Sequence, residues 1–279
     1  MRAPIDLRVN LLKADRGKVL KALENIAPPR RHSLPPGRRI PAPGPMQKNP
    51  NVEAETAHGR GWFEVQDEAS QIAAYLSGAG PRLQVLDLCA GSGGKTLAMA
   101  ALMQNTGQIH AYDADKQRLR PIFERLKRAG ARNVQVLDAG DEAALDALSA
   151  RMDIVFADAP CSGSGVWRRR PDAKWRLTPE ALAQRIAEQR AVLERAASLV
   201  KPGGRLVYAT CSVLPSENGE QTRWFLERMP DFAVRSWSEA WQSSSLGEPP
   251  ESEEEAALQL TPLRHGTDGF YISILEKRA

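Results

Sequence analysis

From Leu83 to Thr210, short apolar runs alternate with amphipathic stretches of helical period, and that rhythm limits the fold more than any other feature. Residues 83–88, 108–113, 133–138, 153–158 and 205–210 read as strands. Strands separated by helices predict a parallel sheet with helices on both faces. Two further strands, at 232–237 and 270–275, bring the sheet to seven. The clearest helix follows Thr178, an N-cap residue, with Pro179 at its first position. Leu182, Ile186, Leu193 and Val200 are expected to face inward, and Gly203-Gly204 to end it.

Upstream, residues 6–10 suit a strand and residues 15–26 a helix with Val19, Leu20 and Leu23 on one face. This predicts a small α/β appendage over residues 1–60 before a larger domain over 61–279. The eight prolines between residues 28 and 50 argue for an extended path without regular structure. A strand at 62–65 and a helix from Asp67 to Leu76 come next.

A chain of 279 residues can bury a full core without staples. Its three cysteines are an odd number, and its first residues have no apolar core of the secretory kind, so reduced thiols in a cytoplasm are expected. No apolar run is long enough to span a bilayer. The formal charge of +4 is mild but uneven. Eleven Lys or Arg lie in residues 1–50, and Arg168, Arg169, Arg170, Lys174 and Arg176 form a second cluster, whereas residues 239–255 carry acids alone. Two basic zones suit a polyanion such as RNA or DNA, although a solvated surface reads the same way.

The candidate chemistry centres on residues 153–165. Ile154 to Ala157 suit a strand covered on both faces, and Asp158 then falls at its carboxyl end, where open α/β sheets bind ligands. Pro160, Gly163 and Gly165 turn the chain sharply and present Cys161. A single such cysteine is more often a small buried hydrophobe.

A glycine-rich turn, Cys89-Ala90-Gly91-Ser92-Gly93-Gly94-Lys95, follows the first strand. A Walker A loop requires glycine where Cys89 stands, and a dinucleotide fingerprint requires it at Thr96. Both spacings fail. S-adenosylmethionine carries no phosphate and asks for close backbone approach with carboxylates around its ribose and charged groups. Asp113, eighteen residues past Lys95, ends the second strand, and Asp138 ends the third. Acids at successive strand ends fit a nucleoside-like methyl donor. A second cysteine, Cys211, ends the strand at 205–210. If that strand neighbours 153–158, two thiols face one pocket, as a reaction at cytosine C5 needs: a thiolate adds to C6 and makes C5 nucleophilic.

On these residues the chain resembles the RNA cytosine-C5 methyltransferases of the RsmB (Sun or Fmu) type. The matching stretches are Arg8 to Lys13, Val65 to Ser70, Asp87 to Thr96, Asp158-Ala159-Pro160-Cys161, Tyr208 to Ser212 and His265 to Phe270. The resemblance implies a Rossmann-like S-adenosylmethionine-dependent methyltransferase fold, α/β, with a mainly parallel seven-stranded sheet. It implies that Cys211 attacks C6, that Cys161 assists release, and that Asp158 serves the site and hydrogen-bonds the cytosine edge. Cys89, Ala90, Gly91, Ser92, Gly93, Gly94, Lys95, Asp113, Asp138 and Asp158 would line the donor site. No metal is implied, and a monomer is expected. The family turn usually reads Cys-Ala-Ala-Pro-Gly-Gly-Lys, so Gly91-Ser92 should loosen it here. Many relatives carry a helical NusB-like module before the region matched by Arg8; its absence here is expected either to change RNA affinity or target choice or to mark a shortened chain.

Ribosomal RNA is the expected substrate, with transfer RNA next, held by the appendage and the loop 168–176. An amino-group methyltransferase would want an aromatic where Cys161 stands. A non-catalytic RNA-binding or ribosome-assembly protein on the same fold is the rival of a different class.

Overall fold

The computed structural model of the chain describes residues 2–26, 37–44, 47–244, 246–252 and 255–279. A small antiparallel sheet is built from β1 (Ile5–Val9), β2 (Gly37–Ile40) and β3 (Phe63–Val65), in the order β2-β1-β3. The large sheet comprises β4 (Gln84–Asp87), β5 (Gln108–Ala111), β6 (Val134–Val136), β7 (Met152–Asp158), β8 (Val200–Thr210), β9 (Phe232–Arg235), β10 (Ala257–Leu260) and β11 (Phe270–Lys277). Its order is β10-β11-β8-β7-β4-β5-β6, with β9 also pairing β11. β4 to β8 run parallel, and β9, β10 and β8 each pair antiparallel with β11.

The chain builds outward from β4 through β5 to β6 and then returns to lay β7 on the other edge of β4. At that reversal the loops after β4 and β7 part in opposite directions and leave a crevice. Alternation along β7 explains why it is central: Ile154 and Phe156 join one apolar core, while Val155 and Ala157 join the core on the opposite face. All four are fully buried. A stretch covered on both faces must be apolar at each position, as Ile154 to Ala157 is.

Several expectations change. The proline-rich segment holds a strand after all, because Gly37–Ile40 is a proline-free run between Pro36 and Pro41, and Ile40 pairs with Ile5. The rest of that segment lies partly outside the described residues. β3 pairs with β1, so a boundary after residue 60 would cut the small sheet. The large sheet has an eighth strand, β10, a short edge piece downstream of the acidic run. The helix Pro179–Leu199 ends before Val200. Gly203-Gly204 lie within β8, in an irregular stretch opposite Met152, rather than capping the helix. A side chain at Gly204 would meet the Met152 carbonyl at 2.9 Å. Leu182 and Ile186 are only half-buried, and burial begins at Gln189 and continues through Leu193, Ala196 and Ala197.

The two sheets are joined by ion pairs rather than by a flexible tether. Glu64 of β3 is buried and accepts from Arg125 Nη2 at 2.9 Å and Arg128 Nη2 at 2.7 Å, both on the helix Ile122–Ala129. Within the small sheet Arg39 pairs with Asp6 at 2.7 Å, and both hold the next helix: Arg39 Nη2 reaches Glu68 at 3.0 Å, and Asp6 accepts from the Glu68 backbone N–H at 3.2 Å. Burial alone would raise the Glu64 carboxyl, but the two guanidiniums outweigh it and hold it below the usual carboxylate range. The stabilisation is therefore present above the pH at which a free glutamate titrates and is lost as acid protonates Glu64 in the folded chain. Glu64→Gln is expected to cost about 3 kcal/mol at neutral pH, because it strands two partly buried cations. Urea unfolding should show this difference shrinking in acid.

Candidate active site

Parallel pairing of β7 with β8 places Asp158 beside Ala209, and Ala159 N–H continues the ladder to the Ala209 carbonyl at 2.9 Å. Each strand is followed at once by its cysteine loop, so the two loops leave side by side. Cys161 Sγ and Cys211 Sγ lie 3.4 Å apart. Both thiols line one cleft of about 830 Å³, together with Asp113, Arg118, Asp158, Arg170, Arg176 and Arg185. The conditional expectation, that adjacent strands would bring the thiols together, is met.

Neither loop would hold this geometry unaided. Glu217, fully buried, accepts from the Ser162 backbone N–H at 2.7 Å, from Ser162 Oγ at 2.5 Å and from Ser212 Oγ at 2.5 Å. One carboxylate thus binds the residue after each cysteine. Gln189 donates to the same carboxylate at 3.1 Å and to the Pro160 carbonyl at 2.9 Å. Gly165 N–H donates to the Cys211 carbonyl at 3.0 Å, and Gly269 N–H to the Gly165 carbonyl at 2.9 Å. This is where glycine is required: a Cβ on Gly165 would stand 2.2 Å from the Gly269 carbonyl oxygen. Glu217 was missed in the sequence because nothing local marks a glutamate six residues past a cysteine as its clamp.

The two thiols are not equivalent. The hydrogen bond from Cys161 pulls the Cys211 thiol below its ordinary value, with Lys95 adding to the effect against burial and Asp158. The same bond, with burial, pushes Cys161 well up. Cys211 is therefore the more readily ionised thiol of the pair. Burial also raises Cys89, with Asp158 and Asp113 adding to it, so Cys89 stays a neutral thiol.

A second cavity, of about 280 Å³, lies over the glycine-rich turn and is lined by Asp87, Cys89, Gly91, Ser92, Lys95 and Asp158 among others. Asp158 borders both spaces, and Lys95 Nζ donates to its Oδ2 at 2.5 Å. Burial would lower Lys95, but Asp158 raises it and keeps it charged. Gly93 caps the helix Gly94–Leu102 at φ 85°, where a Cβ would meet Ile122 Cγ1 at 2.5 Å. Asp113 accepts from Gly91 N–H at 2.9 Å, which sets its carboxylate at the mouth of the turn. Asp87, also missed as an acid at this site, is buried, and its carboxyl is pushed up to about 7 by burial despite a bond from Thr96. Its Oδ1 has no hydrogen-bond partner among the described residues. An acceptor left open beside a cradle of backbone suits a cationic, nucleoside-bearing ligand, and these residues fit S-adenosylmethionine.

Gly91-Ser92 does not leave the turn loose. Arg125 Nη1 donates to Ser92 Oγ at 2.8 Å and to its carbonyl at 2.9 Å, while the same guanidinium is held by Glu64. Asp138 is the member of the expected donor set that the structure sets apart. It is exposed and borders a hollow with Lys116 and Phe123, whereas the apolar slot beyond Asp113 is made by Leu88, Tyr112, Pro160 and Val192. β6 ends at Val136, so Asp138 sits one turn past the strand.

The basic zones also change. Arg168 Nε and Arg169 Nε both donate to Asp268, at 2.8 and 2.6 Å, and Arg169 reaches Asp67 at 2.8 Å. Arg8 and Arg38 are buried and Arg39 is paired with Asp6, so these cations do not face solvent as expected. Arg30 and Arg31 lie outside the described residues. Among the described residues there is no helix long and apolar enough to cross a membrane and no cluster of metal-binding side chains.

Iodoacetamide is expected to alkylate Cys211 before Cys161 and Cys89, at a rate that rises with pH from below the ordinary thiol value; peptide mapping would read the order. Glu217→Ala removes the acceptor of four donors and should cost about 2 kcal/mol of unfolding stability while erasing the preference for Cys211.

The family model for the 16S rRNA methyltransferase RsmB/F matches residues 79–276. The chain is 34% identical over 98% of its length to a probable ribosomal RNA small subunit methyltransferase B of Synechocystis. It is 33% identical over 99% of its length to ribosomal RNA small subunit methyltransferase B of Salmonella paratyphi B. It spans 60% of the length of each of these relatives. A methyltransferase homolog protein from Pyrococcus horikoshii superposes with a TM-score of 0.80 at 28% identity, covering 99% of this chain and 87% of that one. NSun6 from Pyrococcus horikoshii, solved with SFG, superposes with a TM-score of 0.84 at 22% identity, covering 100% and 92%, which speaks for the fold. The fold is that of the S-adenosylmethionine-dependent methyltransferases, and the chain belongs to the 16S rRNA methyltransferase RsmB/F family.

Proposed function

We propose that this chain methylates cytosine C5 in RNA of the small ribosomal subunit, through a covalent bond between Cys211 and C6. The observation that carries the reading is the 3.4 Å approach of a lowered and a raised thiol at the ends of two adjacent parallel strands. S-adenosylmethionine supplies an electrophilic methyl group on a sulfonium. The glycine-rich turn, Lys95 and Asp87 would hold its amino-acid end and Asp113 its ribose, in a cavity that shares Asp158 with the thiol cleft.

The target cytosine is unstacked into the cleft, as RNA recognition of splayed bases requires. Cys211 adds to C6 as a thiolate, and the electron pair displaced onto C5 takes the methyl. Asp158, carrying the proton-donating Lys95 on one oxygen, keeps its other oxygen for the cytosine amino edge. Loss of the C5 proton then restores the double bond and expels Cys211 as thiolate. Cys161 assists this release, having donated to the same sulfur before the attack. Small-subunit ribosomal RNA as substrate rests on the relatives and on the family description.

Transfer of labelled methyl to small-subunit RNA tests the reading. Cys211→Ala should abolish it, by about 10³-fold or more, as expected for loss of a covalent nucleophile. Cys161→Ala should instead accumulate a protein-RNA adduct that survives denaturation. Activity should rise with pH as Cys211 ionises, with a midpoint below that of a free thiol. Reversed phenotypes for the two variants would exchange the roles of the cysteines.

A further inference from the structure

We propose that the short helix Pro171–Arg176 carries a binding site for the nucleotide next to the target, with Trp175 as a stacking platform for its base and Arg170 as the cation for its phosphate. The inference rests on the reading that the thiol cleft takes RNA, and it adds where the neighbouring nucleotide goes.

Arg170, Ala173 and Arg176 form one wall of the cleft that contains both thiols, and Arg185 joins them from the next helix. Arg168 and Arg169 are turned inward to Asp67 and Asp268, which anchors the amino-terminal side of this wall and leaves Arg170 as the first cation of the cluster on the cleft. The helix buries none of its own residues, so its composition is not explained by a core. Trp175 is 81% exposed, the most exposed aromatic among the described residues. An indole held in water next in sequence to Arg176 of the cleft wall is what single-stranded nucleic acid uses as a platform, since every base offers a π face.

Lys174 Nζ lies 5.5 Å from the Trp175 ring and 5.8 Å from the Trp167 ring. Its charge is thereby kept over the aromatic pair, beside the backbone that a stacked base would bring with it. Arg176 is paired with Asp172 and Arg185 with Glu188, each with an exposed or half-exposed carboxylate, and phosphates can compete with such surface partners. Once the target base leaves its stack, its neighbour loses a stacking partner as well, and Trp175 replaces that partner at the rim.

The test measures binding of a fluorescein-labelled short single-stranded RNA containing one cytosine, by anisotropy, with the full chain and no methyl donor. Trp175→Ala should weaken binding about fivefold or more, and Trp175→Phe should retain most of the affinity. Arg170→Ala should lower the slope of log affinity against log salt by about one, whereas Trp175→Ala should leave it unchanged. Calorimetry with S-adenosylhomocysteine should give the same donor affinity for every variant, which separates this site from the donor pocket. Wild-type affinity in Trp175→Ala, equal losses in Trp175→Ala and Trp175→Phe, or an unchanged salt slope in Arg170→Ala would each overturn the proposal while leaving the methyltransferase reading intact. Failure of the wild-type chain to bind RNA at all would overturn both.

Discussion

Everything at this site depends on one hydrogen bond between two sulfurs, and that bond exists because β7 and β8 are parallel neighbours. Parallel pairing puts both carboxyl ends on the same edge of the sheet, and the loops that follow must leave together. A buried glutamate then fastens the residue after each cysteine, so the sulfurs are held by the fold and not by their own attraction. The bond also divides the labour. The sulfur that accepts is favoured as an anion, and the shared bond lowers Cys211 while it raises Cys161.

The same design recurs around the donor turn. Asp113 is fixed by Gly91, Asp158 by Lys95, and the turn itself by Arg125, which is fixed in turn by Glu64 of the small sheet. A chain of hydrogen bonds therefore runs from the appendage to the cofactor cradle. A second runs from Asp67 through Arg168 and Arg169 to Asp268, joining segments about a hundred and two hundred residues apart in sequence. These links explain why the stretches around Asp67 and Asp268 belong to the resemblance although neither touches a thiol. They position the loops that do.

Much of this was legible in the residues. The alternation of apolar runs with helical stretches marked every strand of the parallel core, most clearly Ile154 to Ala157, which is covered on both faces and apolar at each position. The two cysteines could be placed on one pocket once their strands were taken as neighbours. What escaped was whatever depends on distant partners. Arg168, Arg169, Arg8 and Arg39 looked like a surface for a polyanion because a charge run carries no sign of a buried carboxylate far along the chain. Glu217 had no periodic signal at all. The strand Gly37–Ile40 was hidden by the prolines around it, and β10 by its brevity. Asp138 was assigned by counting to the end of a strand that stops two residues sooner.

The most direct measurement of the central claim is to offer the chain RNA in which the target cytosine carries fluorine at C5, together with S-adenosylmethionine. Fluorine cannot leave as a proton does, so the covalent species persists and can be digested and mapped by mass spectrometry. A nucleotide attached at Cys211 is the expected result. Attachment at Cys161, or none at all while the same RNA is bound and the donor is present, would contradict the account.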